Sequence, residues 1–299
     1  RHLEEFFGQN IPPYAILSHT WEEQELSFKE YYNPKAHLRH PKSAAKLFRT
    51  CERAIQDGYE FVWVDSCCID KSSSAELSEA INSMFKWYGA ARRCYAYLSD
   101  FDFDELRGDD QPIAASLNAK RVLSKCRWFY RGWTLQELLA PRDVWFFDCH
   151  WRYFGSRLQI SSILSEITTI PEPVFKTTMS RRYSEYSIAQ RMSWAAGRQT
   201  TREEDIAYCL FGIFHVNLPL LYGEGGERAF IRLQEEIMKE SNDLTLFAWS
   251  SEGEQCCRGL LARSPREFAS AGDIHSKTDV NKNPEFTLTN KGLRIETSI

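Results

Sequence analysis

Apolar and polar positions alternate in blocks along the first half of the chain, and the blocks predict strands and helices in turn. Short apolar runs typical of strands lie at 14–21, 60–70, 93–100 and 143–148. The run at 60–70 is nearly continuous, which predicts a strand buried on both faces of a parallel sheet. Each of the four runs turns polar at its carboxyl end.

Helical patterns separate these strands. Residues 43–58 repeat apolar side chains at helical spacing, and so do residues 73–89, which open with the capping-box pattern of Ser73 and Glu76. A further helix is predicted within 119–140, either as one piece or as two pieces broken near Gly132. Because strands and helices alternate, the sequence predicts an α/β fold with a parallel sheet flanked by helices.

The second half of the chain has a different pattern. Helical stretches follow one another near 156–168, 184–196, 202–214 and 225–241. Strand patterns appear at 244–250 and 286–298. We therefore predict an α/β core over 1–155, a mainly helical extension packed on that core over 156–250, and a partly β segment over 251–299 that begins a linker or a further domain.

Composition narrows the possible classes of protein. The net charge is −4 and the pI about 6.0, without the basic patch typical of nucleic-acid binders, so we expect no nucleic-acid partner. The nine cysteines include no CxxC pair, which favours reduced, buried thiols in a cytoplasmic protein and no metal centre. No apolar run is long enough for a membrane segment. The chain begins without Met, and we expect it to be a piece of a longer polypeptide.

Polar side chains follow all four predicted strands. Ligands of open parallel sheets bind beyond the carboxyl ends of the strands, so these side chains predict a polar crevice. The first two strands are followed by Ser18, His19, Trp21, Asp65, Ser66 and Cys68. The third and fourth are followed by Ser99, Asp100, Asp148, Cys149 and His150.

The segment RGWTLQELLA (131–140) places a carboxylate where a helix slightly disfavours it. Glu137 lies in the last predicted turn, at the end of the helix that carries partial negative charge. Trp133 lies one turn earlier on the same face. The alternative interpretations are a solvated surface glutamate and a core tryptophan.

Three familiar kinds of chemistry have weak support in the sequence. A triad of Ser18, His19 and Asp65 lacks the GxSxG elbow. A thiol hydrolase built on Cys68 and His19 lacks a local signature. The GEGG segment at 223–226 lacks the spacing of a phosphate loop and is predicted to be a helix-entry turn.

Three motifs give the chain a family resemblance. YAILSHTW, FVWVDSCCID and GWTLQELL closely resemble, in this order, the HET domain, the effector domain of fungal heterokaryon-incompatibility proteins. Residues 193–237 look like the segment that follows in incompatibility proteins of the HET-NACHT-WD40 kind. The resemblance covers residues 12 to about 250.

The same region remotely resembles TIR domains, in which a strand ending in serine is followed by a helix of the form S-x-W-C-x-x-E-L. Here YAYLSD (95–100) is followed by RGWTLQEL, where Trp133, Glu137 and Leu138 match and Arg131 and Thr134 replace Ser and Cys. The resemblance implies a flavodoxin-like, TIR-related sheet. It also implies that Glu137 corresponds to the catalytic glutamate of NAD-cleaving TIR domains.

The function implied is that of a cell-death effector in non-self recognition, acting as an NAD(P)+ glycohydrolase that releases nicotinamide. NAD+ is then a substrate, and no cofactor is expected. A carboxylate at Glu137 would stabilise the oxocarbenium-like centre formed at the ribose. Substrate-binding roles are expected for the polar residues at the strand ends and for two residues of the Glu137 segment, namely Ser18, His19, Trp21, Asp65, Ser66, Cys68, Arg131 and Trp133.

The expected partners are NAD+ or a related nucleotide, further copies of the domain, and NACHT or WD40 regions of the same polypeptide or a partner receptor. Two other functions stay open. The domain could be a non-enzymatic, self-assembling interaction module that triggers death through a partner. It could also be a hydrolase that uses Cys68 or Ser18, which a covalent thiol or serine probe would detect.

Overall fold

The computed structural model describes residues 2–6, 8, 10–106, 112–176, 182–251, 258–276, 286–289 and 292–295. The chain divides into two compact units, 1–180 and 181–299. The first unit holds a five-stranded sheet, and the second is mainly helical. No helix among these described residues is both long and apolar enough to cross a membrane.

The sheet of the first unit has the strand order β2-β1-β3-β4-β5. Its strands are β1 (Tyr14–His19), β2 (Phe61–Trp63), β3 (Arg93–Tyr97), β4 (Val144–Phe147) and β5 (Tyr153–Ser156). The first four are parallel, as predicted. β5 was not predicted and pairs antiparallel with β4.

Helices cover this sheet, and their bounds follow the predicted pattern in most places. The first unit contains α1 (Pro34–Arg39), α2 (Pro41–Gln56), α3 (Asp65–Cys68), α4 (Ser74–Ala90), α5 (Leu117–Leu123), α6 (Trp133–Leu139), α7 (Ser161–Thr168) and α8 (Glu172–Lys176). Ser73 caps α4 by accepting a hydrogen bond from the Glu76 amide. The Glu76 carboxylate accepts from the Asp70 amide instead of closing the predicted capping box.

β1 is a central strand because its apolar run fits a position between two neighbours. Ala15, Ile16 and Leu17 are fully buried, and β1 pairs with β2 on one side and β3 on the other. Apolar side chains on both faces of a strand need cover on both faces, which the flanking helices provide. The polar residues that end β1 are therefore also drawn into the interior.

The predicted strand over 60–70 is wrong beyond its first residues. β2 has only three residues at the edge of the sheet, and the chain then turns into the short helix α3. The Cys68 amide donates to the Val64 carbonyl at 2.9 Å, and Val64 and Cys67 pack into the core from this turn. A short apolar run is buried equally well by a strand or a helical turn, so its pattern cannot distinguish them.

The predicted helix over 119–140 is broken near Gly132, as its two-piece alternative expected, and is broken again before Arg127. A 3-10 turn at Arg127–Tyr130 separates α5 from α6. The Thr134 hydroxyl of α6 donates to the Trp128 carbonyl at 2.5 Å, which ties this turn to the helix. Every side chain from Thr134 to Leu139 is buried, so α6 is a core helix along its whole length after the first residue.

The second unit contains α9 (Ile188–Ser193), α10 (Asp205–Tyr208), α11 (Phe211–Phe214) and α12 (Gly226–Glu240), followed by a hairpin of β6 (Phe286–Thr289) and β7 (Gly292–Ile295). The hairpin agrees with the strand pattern at 286–298. The predicted strand at 244–250 is wrong, because Leu244–Phe247 form a 3-10 helix. The Asp243 carboxylate accepts from the Thr245 amide and stabilises that turn.

The GEGG segment is the predicted helix-entry turn. Gly223 and Gly225 adopt φ values of +102° and +82°, which L residues with a side chain rarely adopt. Their amides donate to one Glu204 carboxylate oxygen at 2.7 and 3.2 Å. The glycines are needed for this turn, which leads directly into α12.

Candidate active site

Glu137 lies inside the first unit, beside the carboxyl end of β1. The Ser18 hydroxyl donates to its Oε2 at 2.5 Å, and the Trp128 indole donates to the Ser18 hydroxyl at 2.9 Å. Ser18 is fully buried and Glu137 is 6% exposed. Residues 119 positions apart are therefore joined by a hydrogen bond in the core. The last turn of α6 and the end of β1 therefore meet inside the first unit.

The surroundings of Glu137 favour its neutral form. Burial raises the pKa of this carboxyl to about 8, and the nearby charge of Asp65 raises it further, although hydrogen bonds with Ser18 and Tyr88 and the charge of Arg131 oppose the rise. At neutral pH Glu137 therefore carries a proton. A protonated acid is uncharged, so the unfavourable position near the helix end has little consequence.

A second polar group lies at the same end of the sheet. His19 Nε2 is 2.9 Å from Asp65 Oδ1, and the Trp21 indole donates to Asp65 Oδ2 at 2.8 Å. Lys46 Nζ is 2.8 Å from His19 Nδ1 and forms an ion pair with Glu25. His19 Nδ1 also lies 3.2 Å from the Thr20 carbonyl, so both ring nitrogens have polar neighbours.

Asp65 has the opposite electrostatic environment to Glu137. Burial alone would raise its pKa, but the hydrogen bond and charge interaction with His19, the charge of Lys71 and the hydrogen bond from Trp21 hold the pKa of Asp65 well below its usual range. Two carboxyls at one end of the sheet are therefore held in different protonation states. Such a division between a neutral acid and an ionised base is typical of catalytic sites.

The hydrogen bonds of Ser18 and His19 do not support two of the hydrolase alternatives. Ser18 donates to Glu137 and not to His19, so Ser18, His19 and Asp65 do not form a triad. Both ring nitrogens of His19 already face Asp65 and Lys46, which leaves none for a cysteine. Cys68 accepts weakly from the Val64 amide, with Sγ at 3.4 Å. A nucleophile paired with His19 is absent from the described residues.

The other predicted residues occupy varied positions. Ser66 is buried in α3, and Cys68 is partly buried there. The Trp21 ring is partly buried, and the Lys71 ammonium lies 3.3 Å from its centroid. Arg131 and Trp133 are partly exposed at the start of α6. Arg131 is close enough to Glu137 for its charge to lower the pKa of that carboxyl.

A cleft of about 470 Å³ opens at the carboxyl edge of the sheet. The side chains that line it come from α2, the ends of β1, β3 and β4, and the 3-10 turn before α6, namely Glu22, Lys42, Ala45, Lys46, Arg49, Tyr97, Ser99, Arg127, Cys149, His150 and Trp151. Ser99, Cys149 and His150 were predicted to border the crevice. None of the nine residues predicted as catalytic or substrate-binding is among these lining residues.

The basic wall of the cleft was missed by the sequence analysis, although the chain carries a signal for it. Lys42, Lys46 and Arg49 are spaced four and three residues apart, which places them on one face of a helix. The helix itself was predicted over 43–58. The net charge of −4 is a sum over the whole chain and does not report a local basic face.

One group of potential metal ligands lies beside the cleft. Single ligand atoms of Asp102, Cys149 and His150 lie within 4.8 Å of one another. Arg152 already forms an ion pair with the Asp102 carboxylate. A guanidinium at that carboxylate competes with a cation for the same oxygens, so the group does not favour a metal.

Comparison with known proteins assigns this α/β domain with its polar sheet edge to a class. Residues 14–116 match the family described as heterokaryon incompatibility protein (HET), and residues 228–288 match a domain of unknown function, DUF8212. The chain therefore carries a HET domain of the fungal incompatibility kind, as the motifs predicted. Glu137 lies beyond the matched segment 14–116.

A curated relative supports the same assignment. Over 241 residues the chain is 46% identical to the vegetative incompatibility protein HET-E-1 of Podospora anserina. The alignment covers 78% of this chain and only 17% of the length of that relative. No solved structure matches the chain.

Proposed function

We propose that this chain is a cytoplasmic cell-death effector of fungal non-self recognition that cleaves nicotinamide from NAD(P)+. The biological role is supported by the HET match and by the identity to a vegetative incompatibility protein. Because the aligned region is 17% of that relative, the regulatory part of the role is an inference. We infer that NACHT or WD40 regions of the same polypeptide, or a partner receptor, cluster the domain and activate it.

A TIR-related, flavodoxin-like origin of the sheet is part of the proposal. The strand order β2-β1-β3-β4-β5 supports it, because flavodoxin-like sheets have this order. The antiparallel β5 is a departure from the fully parallel pattern. The ligand site of such sheets lies beyond the carboxyl ends of the strands, which is where Ser18 and Asp65 are found.

One observation carries the chemical proposal: Glu137 is held neutral while Asp65 is held ionised at the same sheet edge. Cleavage of NAD+ places positive charge on the ribose, and a carboxylate must face it. A cationic nicotinamide ribose near Glu137 favours the ionised form, so substrate binding releases the Glu137 proton to solvent. Water then adds to the ribose, and the products are nicotinamide, ADP-ribose and a proton.

Glu137 is buried in the resting chain, so clustering must open a path by which the substrate reaches it. In the resting chain the buried Glu137 carboxyl accepts from the Ser18 hydroxyl, which in turn accepts from the Trp128 indole. Trp128 belongs to the 3-10 turn whose first residue, Arg127, is half-exposed and ion-paired with Glu22. A shift of this turn would uncover Ser18 and Glu137 together. Ser18, His19 and Asp65 would then hold the ribose hydroxyls, while Ser66 and Cys68 would border the substrate.

The aromatic and basic residues complete the proposed substrate site. Trp21 or Trp133 would stack on the nicotinamide or the base. Arg131 would bind a phosphate. Residues at the entry of α6 are suited to this role because they are partly exposed while the rest of the helix is buried.

The test is nicotinamide release from NAD+ by the purified chain fused to an inducible clustering domain. Glu137→Gln keeps the volume of the side chain and removes its acid, and we expect at least a hundredfold slower release from it. Glu79→Gln removes an exposed carboxylate of α4 and should behave like the parent chain. Equal release by the parent and Glu137→Gln would remove Glu137 from the chemistry.

The second candidate function is a non-enzymatic, self-assembling module. The observation that favours it is the closed bonding of Glu137, which has the burial and the partners of a structural acid. In a fungal death assay this function predicts that Glu137→Gln stays toxic, whereas charged substitutions on the edge strand β5, such as Tyr153→Asp, abolish toxicity. Loss of toxicity in Glu137→Gln with retained clustering would favour the enzyme.

A further inference from the structure

The wall of the cleft that α2 forms is basic, and two of its charged side chains are available to bind an anionic ligand. Lys42, Ala45, Lys46 and Arg49 line the cleft at helical spacing, so they form one stripe along α2. Lys46 is already engaged by Glu25. Lys42 has no ion-pair partner in the part of the chain that the structure describes. Among the described residues Arg49 pairs with Glu52 of its own helix alone, at 3.3 Å and exposed, and such pairs are weak.

A fourth basic side chain lines the cleft from another element. Arg127 lines the cleft from the 3-10 turn before α6 and is 53% exposed. Its guanidinium lies 2.9 Å from Glu22 and 3.5 Å from Asp100. Because these carboxylates are partly exposed too, an anionic ligand can replace them at small cost. The cleft therefore offers positive charge from two sides.

The cleft is also lined by an aromatic pair, one member of which has an unusual backbone conformation. Trp151 and Tyr97 both line the cleft and stack with centroids 4.9 Å apart and planes at 17°. Trp151 has a φ of +62°, a left-handed conformation that a bulky residue rarely adopts. Backbone strain of this kind persists only where the surroundings impose it, and it is concentrated at binding and catalytic sites.

Asp148 imposes this conformation. Its carboxylate is fully buried and accepts from the amides of His150 at 2.9 Å, Arg152 at 2.8 Å and Phe103 at 3.1 Å. The Trp151 amide donates to the Asp148 carbonyl at 2.9 Å. The turn is therefore fixed around one carboxylate, and the Trp151 ring is held in position before any ligand arrives.

We propose that this cleft is a nucleotide-binding site separate from the Glu137 cluster. Phosphates lie against Lys42, Arg49 and Arg127, and the base stacks on the Trp151–Tyr97 pair. The volume of about 470 Å³ is in the range of small-molecule sites. The ligand of this site need not be hydrolysed, so the inference does not depend on the proposed function.

The combination of charge and aromatic rings selects the class of ligand. An inorganic anion would use the basic stripe and leave the fixed aromatic pair without a role. A nucleic acid would need a longer basic surface than one helix face, and the chain carries a net charge of −4. A free nucleotide uses both features within one cleft.

The test is binding of ADP by titration calorimetry, with inorganic pyrophosphate and adenosine as partial ligands. The parent chain is used, because ADP carries no nicotinamide and is not a substrate of the proposed reaction. We expect ADP to bind at least tenfold more tightly than pyrophosphate or adenosine, because each partial ligand lacks one set of contacts. Equal binding of ADP and pyrophosphate would overturn the stacking assignment, and no ADP binding at about 1 mM would overturn the site.

Variants assign the contacts. Lys42→Ala and Arg49→Ala should each weaken ADP binding about fivefold, with a smaller dependence on salt concentration. Trp151→Asn, which tolerates a positive φ, should weaken it about tenfold, whereas Trp151→Phe should retain most of it. Lys35→Ala removes an exposed lysine outside the cleft and is the matched control. Unchanged ADP affinity in a folded Lys42→Ala, Arg49→Ala double variant would contradict the site.

The two proposals fail in different ways. Nicotinamide release without ADP binding would overturn the cleft and leave the Glu137 proposal standing. ADP binding without nicotinamide release under clustering would overturn the Glu137 proposal and leave the cleft proposal standing. If ADP binds the cleft and also inhibits nicotinamide release, Lys42→Ala should relieve the inhibition, whereas inhibition that persists in Lys42→Ala would contradict an effect through the cleft.

Discussion

The Glu137 cluster and the basic cleft lie at the same edge of one sheet, yet they are built in opposite ways. Around Glu137 the polar groups are buried, close to neutral and bonded to one another. In the cleft Lys42, Arg49 and Arg127 are exposed and charged, and Lys42 has no ion-pair partner among the described residues. Ser18 and Glu137 belong to the family motifs and are buried in the resting chain. The open cleft beside them is lined mainly by residues outside those motifs.

The largest expected effect comes from the buried carboxylate that fixes the cleft. Asp148→Ala leaves three amides and the Arg152 guanidinium without their acceptor, which should cost about 4 kcal/mol of the free energy of unfolding. Asp104→Ala removes a different, exposed partner of Arg152 and should cost less than about 1 kcal/mol. Urea denaturation measures both. Similar losses in the two variants would show that the turn does not depend on Asp148.

The next effect tests whether Glu137 is part of the core. Glu137→Ala opens a cavity and leaves the Ser18 hydroxyl without its acceptor, so we expect a loss of about 3 kcal/mol in the free energy of unfolding. Glu137→Gln keeps the volume and a hydrogen-bonding oxygen, so its loss at pH 6 should be below about 1 kcal/mol. Equal stability of all three chains would contradict the buried position of Glu137.

The protonation of Glu137 predicts a particular dependence of stability on pH. Its pKa is about 8 in the folded chain, against roughly 4.3 when unfolded, so the unfolded state loses the proton first as pH rises. This group therefore lowers the free energy of unfolding by about 1.4 kcal/mol per pH unit between roughly pH 5 and pH 8. The lowered pKa of Asp65 has the opposite sign and acts only at acidic pH.

The measurement is the free energy of unfolding at several pH values for three chains. Glu137→Gln should lose this slope and become more stable than the parent chain toward pH 8. The free energy of unfolding of Glu79→Gln should depend on pH in the same way as that of the parent chain. If the parent and Glu137→Gln have the same slope, Glu137 is ionised in the folded chain and the electrostatic contrast between the two regions is wrong.

The smallest effect on the free energy of unfolding is expected for a basic residue of the cleft, because a side chain that serves a ligand need not stabilise the fold. Lys42→Ala removes an exposed side chain and should change the free energy of unfolding by less than about 0.5 kcal/mol. ADP binding should nevertheless weaken, as expected of a residue retained for a ligand. A loss above about 1 kcal/mol in the free energy of unfolding is larger than a surface substitution normally causes and would indicate that Lys42 supports the fold instead.

The sequence predicted which residues meet at the sheet edge better than it predicted their environment. Ser18 and Asp65 follow apolar strand runs, and the parallel arrangement of those strands brings them together, so local patterns were sufficient. The burial of Glu137 depends on packing between α6 and β1, whose residues are 119 positions apart. No local pattern reports that contact, so neither its pKa nor its closed bonding could be predicted.

Other differences have equally local causes. The chain after β2 turns helical because Val64 and Cys67 reach the core from a turn as well as from a strand. The segment at Leu244 turns because the Asp243 side chain competes for the backbone. The basic stripe of α2 was visible in the spacing of Lys42, Lys46 and Arg49, but its significance depends on a cleft that only the fold creates.

The central claim is that Glu137 holds a proton at rest and loses it to a cationic substrate. Infrared difference spectroscopy between the parent chain and Glu137→Gln isolates the protonated carboxyl band of this one residue. We predict that the band is present at pH 7, disappears near pH 8 to 9, and disappears at pH 7 when NAD+ is added to the clustered chain. A carboxyl that is already ionised at pH 7, or one that keeps its proton with NAD+ bound, would contradict the claim.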